Sequence, residues 1–116
     1  MKLFRPVGQQ ELALIESLGY RAFPPRLPGQ PIFYPVLNEE YAAEIARQWN
    51  VHDPASGHIG YVLEFEMDDA YMNRFEPKTV GAAHHREYWI PAKELQEFNK
   101  NIIGCIKLIK TIVAPE

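Results

Sequence analysis

A chain of 116 residues, 47% hydrophobic and 23% charged, has the size and composition of one small folded domain spanning residues 1–116. Its single cysteine, Cys105, excludes an internal disulfide framework and a cysteine-based zinc ribbon, and no apolar run reaches the ~20 residues of a membrane span. Twelve Lys and Arg against fifteen Asp and Glu give a net charge of −3, which argues against a surface that grips nucleic acid. The opening MKLFRPVGQQE lacks the apolar stretch of a secretory signal, so the chain is expected to be cytoplasmic.

Lys2 to Arg5 alternates as a short strand, stopped by Pro6 and Gly8. Gln9 to Leu18 reads as a helix, with Leu12, Ile15 and Leu18 on one stripe, Leu14 beside them, and Gly19 as the closing residue. Pro24, Pro25, Pro28, Pro31 and Pro35 then crowd into twelve residues. The residues between and after them, among them Phe23, Leu27, Ile32, Phe33, Tyr34 and Val36, are too apolar for a solvated linker. The segment is expected to be extended, ordered and packed on the core, with few ladder hydrogen bonds. Asn38 stands at a helix N-cap with Glu39 and Glu40 in the first turn. In the helix that follows, Tyr41, Ile45 and Trp49 form one stripe and Ala42 and Ala46 a smaller row beside it.

Asn50 to Gly60 is a polar loop. Tyr61 to Met67 alternates as a strand with Glu64 and Glu66 outward, joined there by Val62. Asp68 caps one or two helical turns that point Tyr71 and Phe75 inward. Lys78 to Ala83 is a short strand or turn, and Arg86 to Ile90 a strand ended by Pro91. A helix runs from there to about Asn99, and Ile102 to Val113 is a last strand, bent near Gly104. This order predicts an α+β fold with mainly antiparallel sheets, because several connections are too short for parallel crossovers.

Four groups of residues carry chemistry. His84 and His85 are adjacent, which on a strand sends them to opposite faces rather than to one metal ion; the plainer reading is a polar turn before a strand. Glu64, Glu66, Asp68 and Asp69 have the oxygen donors for a hard cation, but equally form a solvated strand face leading into a capped turn. Cys105, amid Ile102, Ile103, Ile106 and Leu108, reads as a small buried hydrophobe. Glu87 is either a rim glutamate facing water or a carboxylate lodged among Tyr88 and Trp89. Arg5, at the end of the first strand, is either a surface residue or a planar fork presented to a phosphate.

Together, LFRPVGQQELALIESLG, FYPVLNEEYAAEIARQW and HREYWIPAKELQEFN resemble the small, divergent bacterial ADP-ribosyltransferase-like proteins. Among these, proteins labelled "ADP-ribosylation/crystallin J1" share the pattern FPPRLP-Q-PIFYPVLN-EYA. The resemblance covers nearly the whole chain. It implies two small, mainly antiparallel sheets at an angle, with short flanking helices and nicotinamide adenine dinucleotide (NAD) in the cleft between them. It implies that Arg5 holds phosphate or the adjoining ribose, and that Glu87 stabilises the oxocarbenium-like transition state of nicotinamide–ribose cleavage. Tyr20, Phe33, Tyr34, Tyr41 and His85 would line the dinucleotide site; His85 also stands where many transferases select the acceptor, for which a protein is one class. The family's Ser-Thr-Ser motif has no counterpart here, with Pro-Ile-Phe-Tyr-Pro in its place. The competing expectation is a regulatory or immunity-type binding module that keeps the fold without the chemistry.

Overall fold

The computed structural model describes residues Met1–Ala114. Its frame is a three-stranded antiparallel sheet in the order β1 (Lys2–Val7), β3 (Ile59–Met67), β7 (Ile102–Val113). Two short antiparallel ladders accompany it, β2 (Ile32–Phe33) with β6 (Ile90–Pro91) and β4 (Lys78–Thr79) with β5 (Arg86–Glu87). Val36 joins the parts: it bridges Phe4 of β1 on one side and Glu87 of β5 on the other. The helices are short, α1 (Gln9–Ser17), α2 (Glu39–Gln48), α3 (Asp69–Met72) and α4 (Leu95–Lys100), with single 3₁₀ turns at Asn50–His52, Pro54–Ser56 and Ala92–Glu94. The fold is thus α+β with small antiparallel sheets. No helix among the described residues is long and apolar enough to cross a membrane.

β1 runs two residues further than expected, through Pro6. The hydrogen bonds between Phe4 and Val36 show which way that register faces. The missing N–H of Pro6 lies on the same side as that of Phe4, away from β3, so no bond of the β1–β3 ladder is lost. One face of the sheet, with Leu3, Val7, Leu63, Phe65 and Ile106, packs on Ile15 of α1, Phe98 of α4 and the inward rings Phe23 and Phe33. Phe23, Phe33, Phe65 and Phe98 meet at tilted or edge-on angles, the favoured geometry for aromatic pairs.

α2 covers the other face, where Phe4, Val36 and Val62 meet Ala42, Ala43 and Ala46. Asn38 caps it by accepting from the Tyr41 backbone N–H at 2.7 Å. The small row, rather than the Tyr41–Ile45–Trp49 stripe, is the buried one, and Trp49 is 68% exposed. The reason is close approach: a Cβ on Gly60 of β3 would lie 2.7 Å from the Cβ of Ala46, so only small residues fit between helix and sheet. Val62, expected to face outward, is buried under the same helix.

The proline-rich segment is ordered. Asn99 holds Phe23 by a reciprocal pair of 2.9 Å hydrogen bonds, and the carbonyls of Pro31 and Pro35 accept from Ala92 and Tyr88. Leu27–Gln30 closes as a tight turn with Pro28 second and Gly29 third at φ 86°, the pattern of a type II turn. The predicted helix after Pro91 begins as a 3₁₀ turn, and α4 itself starts at Leu95. β7 bends where Gly104 takes φ 75°. That irregularity leaves Ile103, Gly104 and Cys105 exposed in succession, so Cys105 is a surface thiol and not a core residue.

Candidate functional site

The strand predicted over Arg86–Ile90 breaks into β5 and β6, leaving Tyr88 and Trp89 between them. Strict alternation would bury only one of Glu87 and Tyr88. The break lets both turn inward, and Glu87 is 9% exposed. Its carboxylate is held at both oxygens: the Tyr41 hydroxyl donates to Oε1 and the Trp89 indole N–H to Oε2, each at 2.7 Å. Burial, with the Glu87 carboxylate beside it, raises the Tyr41 phenol above its ordinary pKa, so Tyr41 stays protonated and donates.

Arg5 lies on the apolar face of β1 and is 8% exposed. Its guanidinium is paired rather than open. Nε and Nη2 donate to the two oxygens of Glu11, at 2.6 and 2.8 Å, and Nη1 to the Tyr34 carbonyl at 3.3 Å. The fork sits over the Phe33 ring, 4.5 Å from its centroid. Three of its five N–H donors are thereby used. Glu11, six residues on in the first turn of α1, was missed by the sequence reading because its position there equally suits a plain helix-dipole partner.

Arg5 and Glu87 line one cavity of about 350 Å³, with Tyr34, Tyr41, Trp49 and Asn50 in its wall. A second cavity of about 340 Å³ lies toward the start of α1 and shares Arg5, Pro6 and Asn50 with the first. Tyr34 and the exposed Trp49 give the first cavity accessible aromatic faces.

Three expected ligand-binding residues are placed otherwise. Tyr20 is not in the wall of either cavity; it follows Gly19 at φ 59°, packs on the main core, and its carbonyl accepts from Ile106 of β7. Phe33 is 1% exposed with Arg5 across its face, so it supports the arginine and has no face free to stack on a ring. His85 has no free polar atom. Its Nε2 meets Glu44 Oε2 at 2.7 Å, its Nδ1 accepts from the Ala82 N–H at 3.1 Å, and its ring stacks on Tyr41 with centroids 4.6 Å apart.

The two histidines lie on a polar turn just before β5, as expected, and there they converge: His84 Nε2 meets the other oxygen of Glu44 at 2.8 Å. The bond to Glu44 raises the pKa of His84, and the two histidines lower that of Glu44. Two histidines and a carboxylate this close have the composition of a metal site. The hydrogen bonding of His85 fits another role. Because Nδ1 accepts from Ala82, the ring proton is on Nε2, the atom that a metal would need. Metal-bound histidines donate through their second nitrogen, whereas this one accepts. Glu44 thus clamps the 81–85 turn, and His85 props Tyr41 against Glu87.

No family model matches the chain, and no curated protein or solved structure matches it significantly.

Proposed function

We propose that the chain binds NAD and cleaves its nicotinamide–ribose bond, as an ADP-ribosyltransferase-like protein. The observation that carries this reading is the Glu87 carboxylate, buried and held at both oxygens, in the wall of a cavity that it shares with Arg5. A carboxylate fixed before the reaction stabilises developing positive charge without reorganising. The two adjoining cavities, about 350 and 340 Å³, are each in the range of small-molecule sites and together suit a two-lobed ligand.

In the reaction the bond from ribose C1′ to the nicotinamide nitrogen breaks, and its electron pair neutralises the pyridinium. C1′ takes on oxocarbenium character, as in glycoside cleavage. The acceptor oxygen or nitrogen then bonds to C1′ and releases its proton to solvent. Each Glu87 oxygen accepts one bond from the protein and keeps lone-pair capacity for a ribose hydroxyl. Tyr34, Tyr41 and Trp49 offer aromatic surface for the nicotinamide. Arg5, common to both cavities, serves ribose or phosphate with its two remaining N–H donors.

The test is incubation with NAD, with nicotinamide release followed by chromatography and binding by thermal shift. Release is expected. A thermal shift without release would make the chain a binding module, and the absence of both signals would overturn the reading altogether.

A further inference from the structure

Among the described residues, two side-chain polar atoms are sealed from solvent without a hydrogen-bond partner: Nε of Arg26 and Oδ1 of Asn50. Both residues line the cavity beside the start of α1, and Asn50 also lines the Glu87 cavity. Neither atom itself faces the cavity, but the orphaned Nε marks a guanidinium that the fold leaves unpaired beside it.

Arg26 differs from Arg5 in kind. Arg5 is neutralised by Glu11, whereas no ion pair includes Arg26 among the described residues. Desolvation and the nearby Arg5 charge both lower the pKa of Arg26, with smaller opposing contributions from Glu11 and Tyr34. The residue is also fixed in place. Pro24 and Pro25 precede it, the Leu27–Gln30 turn follows it, and its guanidinium lies 5.9 Å from the centroid of the Phe33 ring. The same cavity receives the first turn of α1, whose cap residue, Gly8, supplies no side-chain hydrogen bond to the helix N–H groups. Its one other carboxylate besides Glu11 is Asp53, which is occupied by the Ala55 N–H and the Ser56 hydroxyl.

We infer that this cavity is a phosphate site, in which Arg26 and the start of α1 hold the diphosphate of a nucleotide. The inference rests on the NAD reading for the complete ligand and moves the phosphate contact from Arg5 to Arg26. Arg5 then stays at the junction of the two cavities, beside the ribose next to the nicotinamide.

The test is calorimetric titration of the full chain with ADP-ribose, inorganic pyrophosphate and adenosine. ADP-ribose and pyrophosphate are expected to bind, and adenosine at least about tenfold more weakly than ADP-ribose, as loss of charge-assisted contacts entails. Arg26→Gln should weaken ADP-ribose and pyrophosphate about tenfold or more with unchanged circular dichroism, and Arg26→Lys should restore part of the loss. The inference is overturned if the wild type binds neither phosphate compound, or if Arg26→Gln binds ADP-ribose within twofold of wild type. Arg26-dependent binding of ADP-ribose without nicotinamide release from NAD would uphold this site and refute the cleavage reading. Release that persists in Arg26→Gln with unaltered KM would do the reverse.

Discussion

Glu87→Gln separates chemistry from architecture, because the two donors that hold the carboxylate respond differently to an amide. The Trp89 indole can only donate, so the amide oxygen must face it. The Tyr41 hydroxyl can rotate and accept from the amide NH₂, so both hydrogen bonds survive in neutral form. Each falls from about 1.5–3 kcal/mol for a charged partner to about 1 kcal/mol for a neutral one. Against that loss, the several kcal/mol needed to bury a carboxylate are no longer required. The opposing changes are of similar size, so the expected net effect on stability is within about 1 kcal/mol, or several degrees in Tm. Catalysis has no such compensation: a neutral amide offers little to an oxocarbenium ion, and nicotinamide release should fall about 10²–10³-fold, equivalent to about 2.7–4 kcal/mol. Glu87→Ala should lose activity equally but also orphan the indole N–H, destabilising the fold by about 1–3 kcal/mol before any cavity cost. Thermal unfolding and timed chromatography of nicotinamide on the same preparations read both quantities. A folded Glu87→Gln protein that releases nicotinamide within tenfold of wild type would refute the role given to Glu87.

Glu11→Ala should lower stability in urea by about 3 kcal/mol by leaving the Arg5 guanidinium uncompensated, and Arg5→Met added to it should recover part of that loss. The raised pKa of His84 means that its pairing with Glu44 contributes stability fully below the unfolded value of 6.5 and loses it as pH rises through the folded value. Glu44, shifted down, contributes stability above its unfolded value of 4.5 and loses it as pH falls through the folded one. NMR titration of the His84 ring should show a midpoint above 6.5 that returns toward 6.5 in Glu44→Gln. Gly60→Ala should cost about 1–3 kcal/mol, read by thermal melting, since its Cβ would meet Ala46 at 2.7 Å; Ala46→Gly in the same chain should relieve much of the clash.

Element order and the antiparallel α+β class were legible from periodicity, caps and punctuation. Asn38 caps α2 at the position its side chain suggests, and β7 spans Ile102–Val113 with its bend at Gly104. Which face of an element is buried was less legible, because that depends on what approaches it. The Tyr41–Ile45–Trp49 stripe is the more hydrophobic side of α2, yet Gly60 brings β3 so close that only the alanine row fits beneath the helix. The large stripe is thereby left beside the cavity, where Tyr41 reaches Glu87. Side-chain pairings between separate elements were not legible at all. Nothing local to residues 84 and 85 shows that Glu44 gathers them, and nothing local to Arg5 shows that Glu11 neutralises it.

The site itself comes from a failure of periodicity. A continuous strand over Arg86–Ile90 would send Glu87 and Trp89 to one face and Tyr88 to the other, with Glu87 at the rim or Tyr88 displaced from the core. Breaking it after Glu87 allows Tyr88 to fill the core, Glu87 to enter the cavity wall, and the Trp89 indole to fold back onto the carboxylate two residues earlier. The lost ladder bonds are replaced from the proline-rich segment, whose Pro35 carbonyl accepts from Tyr88 and whose Val36 bridges Glu87. A chain rich in proline suits that task, since it supplies carbonyl acceptors in a fixed extended line while offering few N–H groups that would themselves need partners. The prolines and the carboxylate are therefore one structural solution: the segment that cannot form a full strand stabilises the strand that must not continue.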